Sequence, residues 1–282
     1  MSCLGARPTS RAEGTEAVAR KEPGKVERIA ADLRAKIESG HYPPGAKLPS
    51  SAELQAAEGI AFQTTREVYR VLERDGLVVT HMGKGSFVTP FLGKITRDGT
   101  GRYQPAAREA GGARGAFEAE LNRLGLVYKP TPTDVSRERP PREVAAALGL
   151  HHSAKAISRR RVMRAGRDEA DQAEGFPVQI ATSWFPIDVA GGSRIEDQDT
   201  GPGGSKSRLA ELGHAQRRVR ETIEVRFPSA VEAEALGIPE DRQVYELTHH
   251  ASTEEGRVVE VAVHVMPASI WRFSYTWELD AD

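Results

Sequence analysis

The chain holds a single cysteine, Cys3, among 282 residues. One thiol cannot close an intramolecular disulfide, so a disulfide-stapled secreted scaffold is excluded and a reducing compartment is the expectation. Long apolar runs are missing too. Residues 1–25 lack the hydrophobic centre of a secretory leader, and no stretch approaches the roughly 20 apolar residues of a membrane span. A cytoplasmic protein with no membrane partner is expected. Excess charge of either sign is absent, since 39 Lys and Arg meet 40 Asp and Glu for a formal net charge of −1. A globally basic protein is thereby excluded, and any electrostatic footprint for DNA must be local. Also lacking are a nucleophile elbow, a phosphate loop and a dinucleotide fingerprint. His151-His152 and His249-His250 are adjacent pairs, which on a strand point to opposite faces and cannot share one metal. No catalytic residue, metal site or cofactor is expected.

What is present exceeds a typical single domain, so two domains plus tails are expected. Residues 1–24 are polar and without periodicity, and read as a disordered arm in which Arg7, Arg11, Arg20 and Lys21 supply positive charge. From 25 to 90 the pattern sharpens. Val26, Ile29, Ala30, Leu33 and Ile37 recur at three- and four-residue steps, one face of a helix that Gly40 ends. Ser50 and Glu53 have the spacing of a capping box and start a short second helix. Gly59 and Ile60 make a tight turn. A third helix over 62–75 turns Val68, Val71 and Leu72 inward and leaves Gln63, Thr64, Thr65, Arg66 and Arg70 outside. Two β-prone segments, 77–80 and 87–89, flank the tip Gly83-Lys84-Gly85-Ser86.

That order is how a winged helix-turn-helix reads. Gln63, Thr64 and Thr65 are placed to meet base edges in the major groove, Arg66 and Arg70 to hold phosphates, and Lys84 on the wing to reach a neighbouring groove. Leu48-Pro49-Ser50, Gly59-Ile60, Thr64-Thr65-Arg66, Leu72-Glu73-Arg74-Asp75-Gly76-Leu77-Val78 and Gly83-Lys84-Gly85-Ser86-Phe87-Val88 resemble the DNA-binding domain of GntR-type transcription regulators. The resemblance adds Ser50, Gly83 and Gly85 to the DNA-binding set. The chain departs from the family pattern at Ala52 and Phe62, where members often carry Arg.

Residues 91–115 shift to Gly, Arg and Ala with no apolar pattern and read as a linker. The remainder, 116–282, reads as an antiparallel α+β domain. Its expected strands are 127–135, 156–164, 176–185, 216–227, 243–252 and 257–266, with a last edge strand at 273–279. Helices are expected near 117–124, 141–148 and 230–236, and a mobile loop at 188–204. Strand alternation puts Arg159 with Arg161, Gln179 with Ser183, and Glu260 with His264, each pair on one face. If those faces converge they make a polar pocket whose arginine pair suits a carboxylate or phosphate.

Glu143-Val144-Ala145, Leu148-Gly149-Leu150, Arg159-Arg160-Arg161, Thr182-Ser183-Trp184-Phe185-Pro186, Glu221-Thr222-Ile223, Ala233-Glu234-Ala235-Leu236-Gly237-Ile238-Pro239 and Val259-Glu260 resemble the UTRA effector-binding domain of the HutC-like branch. That resemblance implies a chorismate lyase-like fold, a small-molecule effector and a site to which Glu221 is added. Ala181 and Met266-Pro267-Ala268-Ser269 depart from the family pattern. Three functions remain open: a homodimeric repressor released from a palindromic operator by a polar or anionic metabolite, a regulator whose second domain only dimerises, and a chorismate lyase-like enzyme.

Overall fold

The computed structural model describes residues 24–81, 83–104, 115–167 and 175–279, so the basic residues expected in the N-terminal arm lie outside it. α1 (Lys25–Glu38) buries Ile29, Ala30, Leu33 and Ile37, the stripe its spacing implies. α2 (Ser51–Glu58) starts on the capping box: Ser50 Oγ accepts from the Glu53 N–H at 3.2 Å, and the Ser50 N–H donates to the Glu53 carboxylate at 2.7 Å. Gly59 turns the chain in the left-handed region, φ 58°, where a side chain would be strained. α3 (Phe62–Arg74) then crosses α1, its Val68, Tyr69 and Leu72 packing among Ile29, Leu33 and Ile37. β1 (Val78–His81) and β2 (Gly85–Val88) pair antiparallel to form the wing.

Seven antiparallel strands make the second domain: β4 (Val127–Lys129), β5 (Asp134–Glu138), β6 (Ala156–Gly166), β7 (Phe176–Pro186), β8 (Arg218–Arg226), β9 (Val244–Ser252) and β10 (Val258–Pro267). Their order is β4-β6-β7-β10-β9-β8, with β5 also paired to β6. The single strand expected over 127–135 is two, because Pro130 and Pro132 have no N–H to give a ladder. One sheet face lies under α5 (Arg142–Ala147) and α8 (Ala230–Leu236), where Val144 and Leu148 meet Trp184 and Val261, and Leu236 meets Val244 and Val265. The other lies under α4 (Ala116–Asn122), α6 (Ile187–Ala190) and α7 (Gly204–Glu211), with Leu121, Ile195 and Leu209 fully buried. The stretch 188–204, expected as a mobile loop, holds two short helical turns and the buried Ile195. α7 has no counterpart in the sequence reading.

The stretch expected to link the domains contains β3 (Ile95–Asp98), which pairs in parallel with β11 (Trp271–Ser274). β11 is therefore not an edge strand of the main sheet. Ile95 and Trp271 drive this pairing, both buried in one cluster with Leu121 and Leu247, and Trp271 Nε1 donates to the Val178 carbonyl at 2.7 Å. Where the two domains meet, Gly76 follows α3 at φ 73°, and a Cβ there would stand 3.0 Å from the Ser269 Cβ. Arg167 donates to the Pro90 carbonyl at 2.6 Å and Lys94 to that of Ala268 at 2.6 Å. A groove of about 450 Å³ between the domains is lined by Val79, Phe87, Phe91, Phe176 and Ile238.

Candidate DNA-binding face and ligand chamber

At the N-terminal end of α3, Gln63 and Arg66 are exposed and Thr64 is half-buried. No side chain caps this end, so its backbone N–H groups and positive dipole face outward with them. Thr65 is a correction. It is 0% exposed, its Oγ1 bonding back to the Ala61 carbonyl at 3.5 Å. The 3.6-residue period puts it with Val68, Tyr69 and Leu72 on the core face, so it cannot read a base. Arg70 is exposed and shares its charge with Glu67 at 2.9 Å. Gly83 and Lys84 are exposed at the wing tip, and Gly85 adopts φ 107°. Ser50 is committed to the capping box. Lys47, which the sequence reading did not single out, bridges to Phe87 on the wing with its ammonium 6.0 Å from the ring, adding a cation beside Lys84.

In the second domain, cross-strand register aligns the expected effector residues. One row across the sheet runs Arg159, Ser183, Ala262, His249, Glu221, and the next runs Arg161, Ala181, His264, Leu247, Ile223. Gln179 lies opposite Met163 one row further, and Glu260 sits on the same face by alternation. All seven residues thus share the face beneath α4 and α7. Their employment differs. Arg159 gives its guanidinium to the backbone carbonyls of Ile195, at 2.5 Å, Asp197, and Gln198, at 3.0 Å, and so clamps the 194–198 turn. Burial, with the charge of Arg161 beside it, lowers its pKa to about 10. Glu260 accepts from Gln216 at 2.7 Å. Gln179 donates to the Met163 sulfur at 2.7 Å while its Oε1 is buried without a partner among the described residues. His264 is half-buried, and its Nδ1 is buried and likewise unpartnered among the described residues. Arg161 is half-buried and makes no hydrogen bond to a described residue, and burial lowers its pKa also.

The cover contributes charges that sequence reasoning missed. Arg97, on β3, pairs with Glu221, and Tyr103 donates to the same carboxylate while its hydroxyl stands 3.1 Å from His249 Nδ1. Burial alone would raise the Glu221 carboxyl. Hydrogen bonds with His249, Tyr103 and Arg97, and the Arg97 charge, hold it well below the usual carboxylate range. Arg102 pairs with the buried Glu120 of α4 at 2.5 Å. Burial, with Arg97, His249, Arg102 and Arg161 nearby, keeps the His264 ring well below its ordinary 6.5 and hence neutral. The described residues beneath α4 and α7 therefore set four arginines (97, 102, 159, 161) against three carboxylates (120, 221, 260). His250 points to the opposite sheet face, toward Arg220 at 3.3 Å, so the adjacent histidines do diverge.

A winged helix-turn-helix joined to a sheet domain with a buried cluster of polar and charged side chains is the build of a transcription regulator. The chain belongs to the GntR family of bacterial regulatory proteins, in the branch that carries a UTRA domain. The gntR family model matches residues 25–88 and the UTRA model residues 123–272. An uncharacterised helix-turn-helix transcriptional regulator of Streptomyces coelicolor is 32% identical over 262 residues, covering 90% of this chain and 93% of its own. The transcriptional repressor NagR of Bacillus subtilis is 23% identical over 255 residues, with coverage of 87% and 91%. Among solved structures, a GntR-family regulator superposes with TM-score 0.54 at 24% identity over 92% of this chain and 99% of that one. PhnF from Mycobacterium smegmatis follows with 0.53 at 19% over 89% and 100%. Both show a shared fold. The protein is a DNA-binding transcription regulator with an effector domain, and its family and relatives are regulators, not enzymes. No described helix is long and apolar enough to cross a membrane.

Proposed function

We propose that the protein is a homodimeric repressor that leaves a roughly palindromic operator when a small anionic metabolite binds in a chamber at the polar cluster beneath α4 and α7. Arg161 carries this reading. Arg97, Arg102 and Arg159 already have carboxylate or carbonyl partners, whereas Arg161 has no hydrogen-bond acceptor among the described residues. A half-buried guanidinium without an acceptor, beside the unpartnered Gln179 Oε1 and His264 Nδ1, is unfavourable until a ligand satisfies it. A carboxylate or phosphate suits Arg161 in bidentate fashion, and hydroxyl groups suit Glu260, Gln179 and His264. The repressor relative supports repression as the direction of action, and the UTRA domain supports a small-molecule effector.

A single helix-turn-helix reads too few base pairs for a genomic site, and two copies double the read. Release requires the ligand to favour a conformation whose recognition helices are wrongly spaced for the groove; equal affinity for both conformations shifts nothing. Arg97 and Tyr103 provide the link, since both lie on the segment leaving the DNA-binding domain and both touch Glu221 inside the chamber.

The test takes phosphorylated sugars and small carboxylates through thermal-shift screening, then measures operator binding by fluorescence anisotropy with each stabilising compound. Arg161→Ala keeps operator affinity and loses release. An Arg161→Ala variant that folds, binds the operator and lets go at the parent's ligand concentration removes the chamber as the effector site.

A further inference from the structure

The groove of about 450 Å³ between the two domains shares no residue with the polar cluster beneath α4 and α7. Its walls come from both domains. Val79 and Phe87 belong to the wing, Phe176 opens β7 and Ile238 follows α8, while Phe91 lies on the segment between the domains with its ring stacked on that of Phe176 at 6.3 Å. Apolar side chains around a hollow of this size lack packing partners on one side, and an apolar body entering it supplies them. The charges among the lining residues are unequal. Lys84 and Arg242 are cations, and Glu73 is the one carboxylate. The Arg242 side chain is 17% exposed, whereas its ion-pair partner Asp241, at 3.4 Å, is 69% exposed, so the pair leaves the guanidinium poorly neutralised on the groove side.

We propose that this groove binds an amphipathic small molecule, its apolar body between Val79, Phe87, Phe176 and Ile238 and its single carboxylate on Arg242. The site is additional to the effector site of the proposed function and does not depend on it. Occupancy bears on DNA through Lys84. That residue lines the groove and is also the exposed cation of the wing tip, so an anion bound in the groove competes with a DNA phosphate for its ammonium. The competition is reciprocal, DNA weakening the ligand by the factor by which the ligand weakens DNA.

Fluorescence titration of the full chain with anilinonaphthalene sulfonate, an apolar ring system carrying one anionic group, tests the site. The parent binds the probe with saturation, and decanoate displaces it about tenfold more effectively than decanol. Val79→Trp and Ile238→Trp fill the groove from opposite domains, and each lowers probe affinity by about tenfold or more with an unchanged circular dichroism spectrum. Arg242→Gln removes the preference for decanoate over decanol. Arg161→Ala leaves probe and decanoate affinity at the parent's values. Saturating decanoate weakens operator binding by about threefold to tenfold and lowers the salt slope by about one. A parent that binds no probe, or filled-groove variants that both bind it as the parent does, overturn the site. Loss of probe binding in Arg161→Ala moves the probe to the polar cluster, and dissociation of a parent dimer on probe binding, seen by sedimentation velocity, gives the groove to a second copy; either result overturns the proposal. Equal displacement by decanol overturns the anionic class of ligand, and operator binding indifferent to decanoate overturns the competition at Lys84. All of these outcomes leave the effector site at the polar cluster standing.

Discussion

Arg97 and Glu221, 124 residues apart in the chain, form an ion pair whose side chains are 3% and 8% exposed. One partner comes from the segment that leaves the DNA-binding domain, the other from the edge strand of the sheet. Forming such a pair gains little over an apolar contact, because desolvation offsets the attraction, but removing one partner strands a buried charge. The pair is therefore a fastener that resists partial opening.

Arg97→Met and Glu221→Leu are each expected to destabilise the second domain by about 3–5 kcal/mol, and the double variant by much less than their sum. Urea unfolding of the four proteins gives the cycle. Additive losses would mean that the two side chains do not act as a unit.

Acid stability follows from His264 and Glu221. The His264 ring is depressed in the fold, so the unfolded chain takes up a proton first, and stability is lost as pH falls below about 6.5. The Glu221 carboxyl is also depressed; its contribution is complete above the ordinary 4.5 and is lost below it, toward its folded value. Melting temperature should hold steady above pH 7 and decline in two stages below. His264→Leu shrinks the upper stage, between 6.5 and 4.5, to the part due to His250, whose ring is also depressed by burial and by Arg220, and keeps the lower. An unchanged upper stage in that variant would assign it to another histidine.

On DNA, Gln63→Ala is expected to cost roughly 1–3 kcal/mol on the preferred operator and to relax one position per half-site. Arg66→Ala weakens specific and random DNA alike and lowers the salt slope by about one. Thr65→Val, inside the core, leaves operator affinity within about twofold, since no base contact is lost. Anisotropy titrations over a salt series distinguish the three. A Thr65→Val variant that folds as the parent does yet loses sequence preference would return that residue to the interface.

Trp271→Phe keeps most of the buried ring and strands the Val178 carbonyl, which now accepts from Nε1 at 2.7 Å. The expected loss is about 1–3 kcal/mol. Faster amide exchange confined to β3 and β11 would accompany it, and protection equal to the parent's there would show that the bond does not hold the pair.

Elements with many local cues were legible. The apolar stripe of α1, the Ser50-Glu53 box and the alternation of β6 to β10 each state their structure within a few residues. Alternation also put the polar residues of β6, β7 and β10 on the right face, since that depends on parity alone. What they touch was not legible: Arg159 spends its guanidinium on carbonyls near residue 197, a contact set by tertiary packing. β3 was missed because four residues carry no readable period and their partner strand lies 176 positions away. α7 begins at Gly203-Gly204, which reads as a loop. Thr65 was misassigned because a hydroxyl at a helix start suggests a base contact, while its place on the helical wheel puts it inside.

The parallel pairing of β3 with β11 also orders events during synthesis. Residues 25–88, the whole winged helix-turn-helix, leave the ribosome well before Trp271 exists to receive Ile95. At roughly 5–20 residues per second the interval is on the order of ten seconds or more, long compared with the folding of a small helical unit. A nascent chain thus displays a finished reader of DNA before the strand that tethers it has been made. Restraint of the DNA-binding domain by the effector domain is the last thing the molecule acquires.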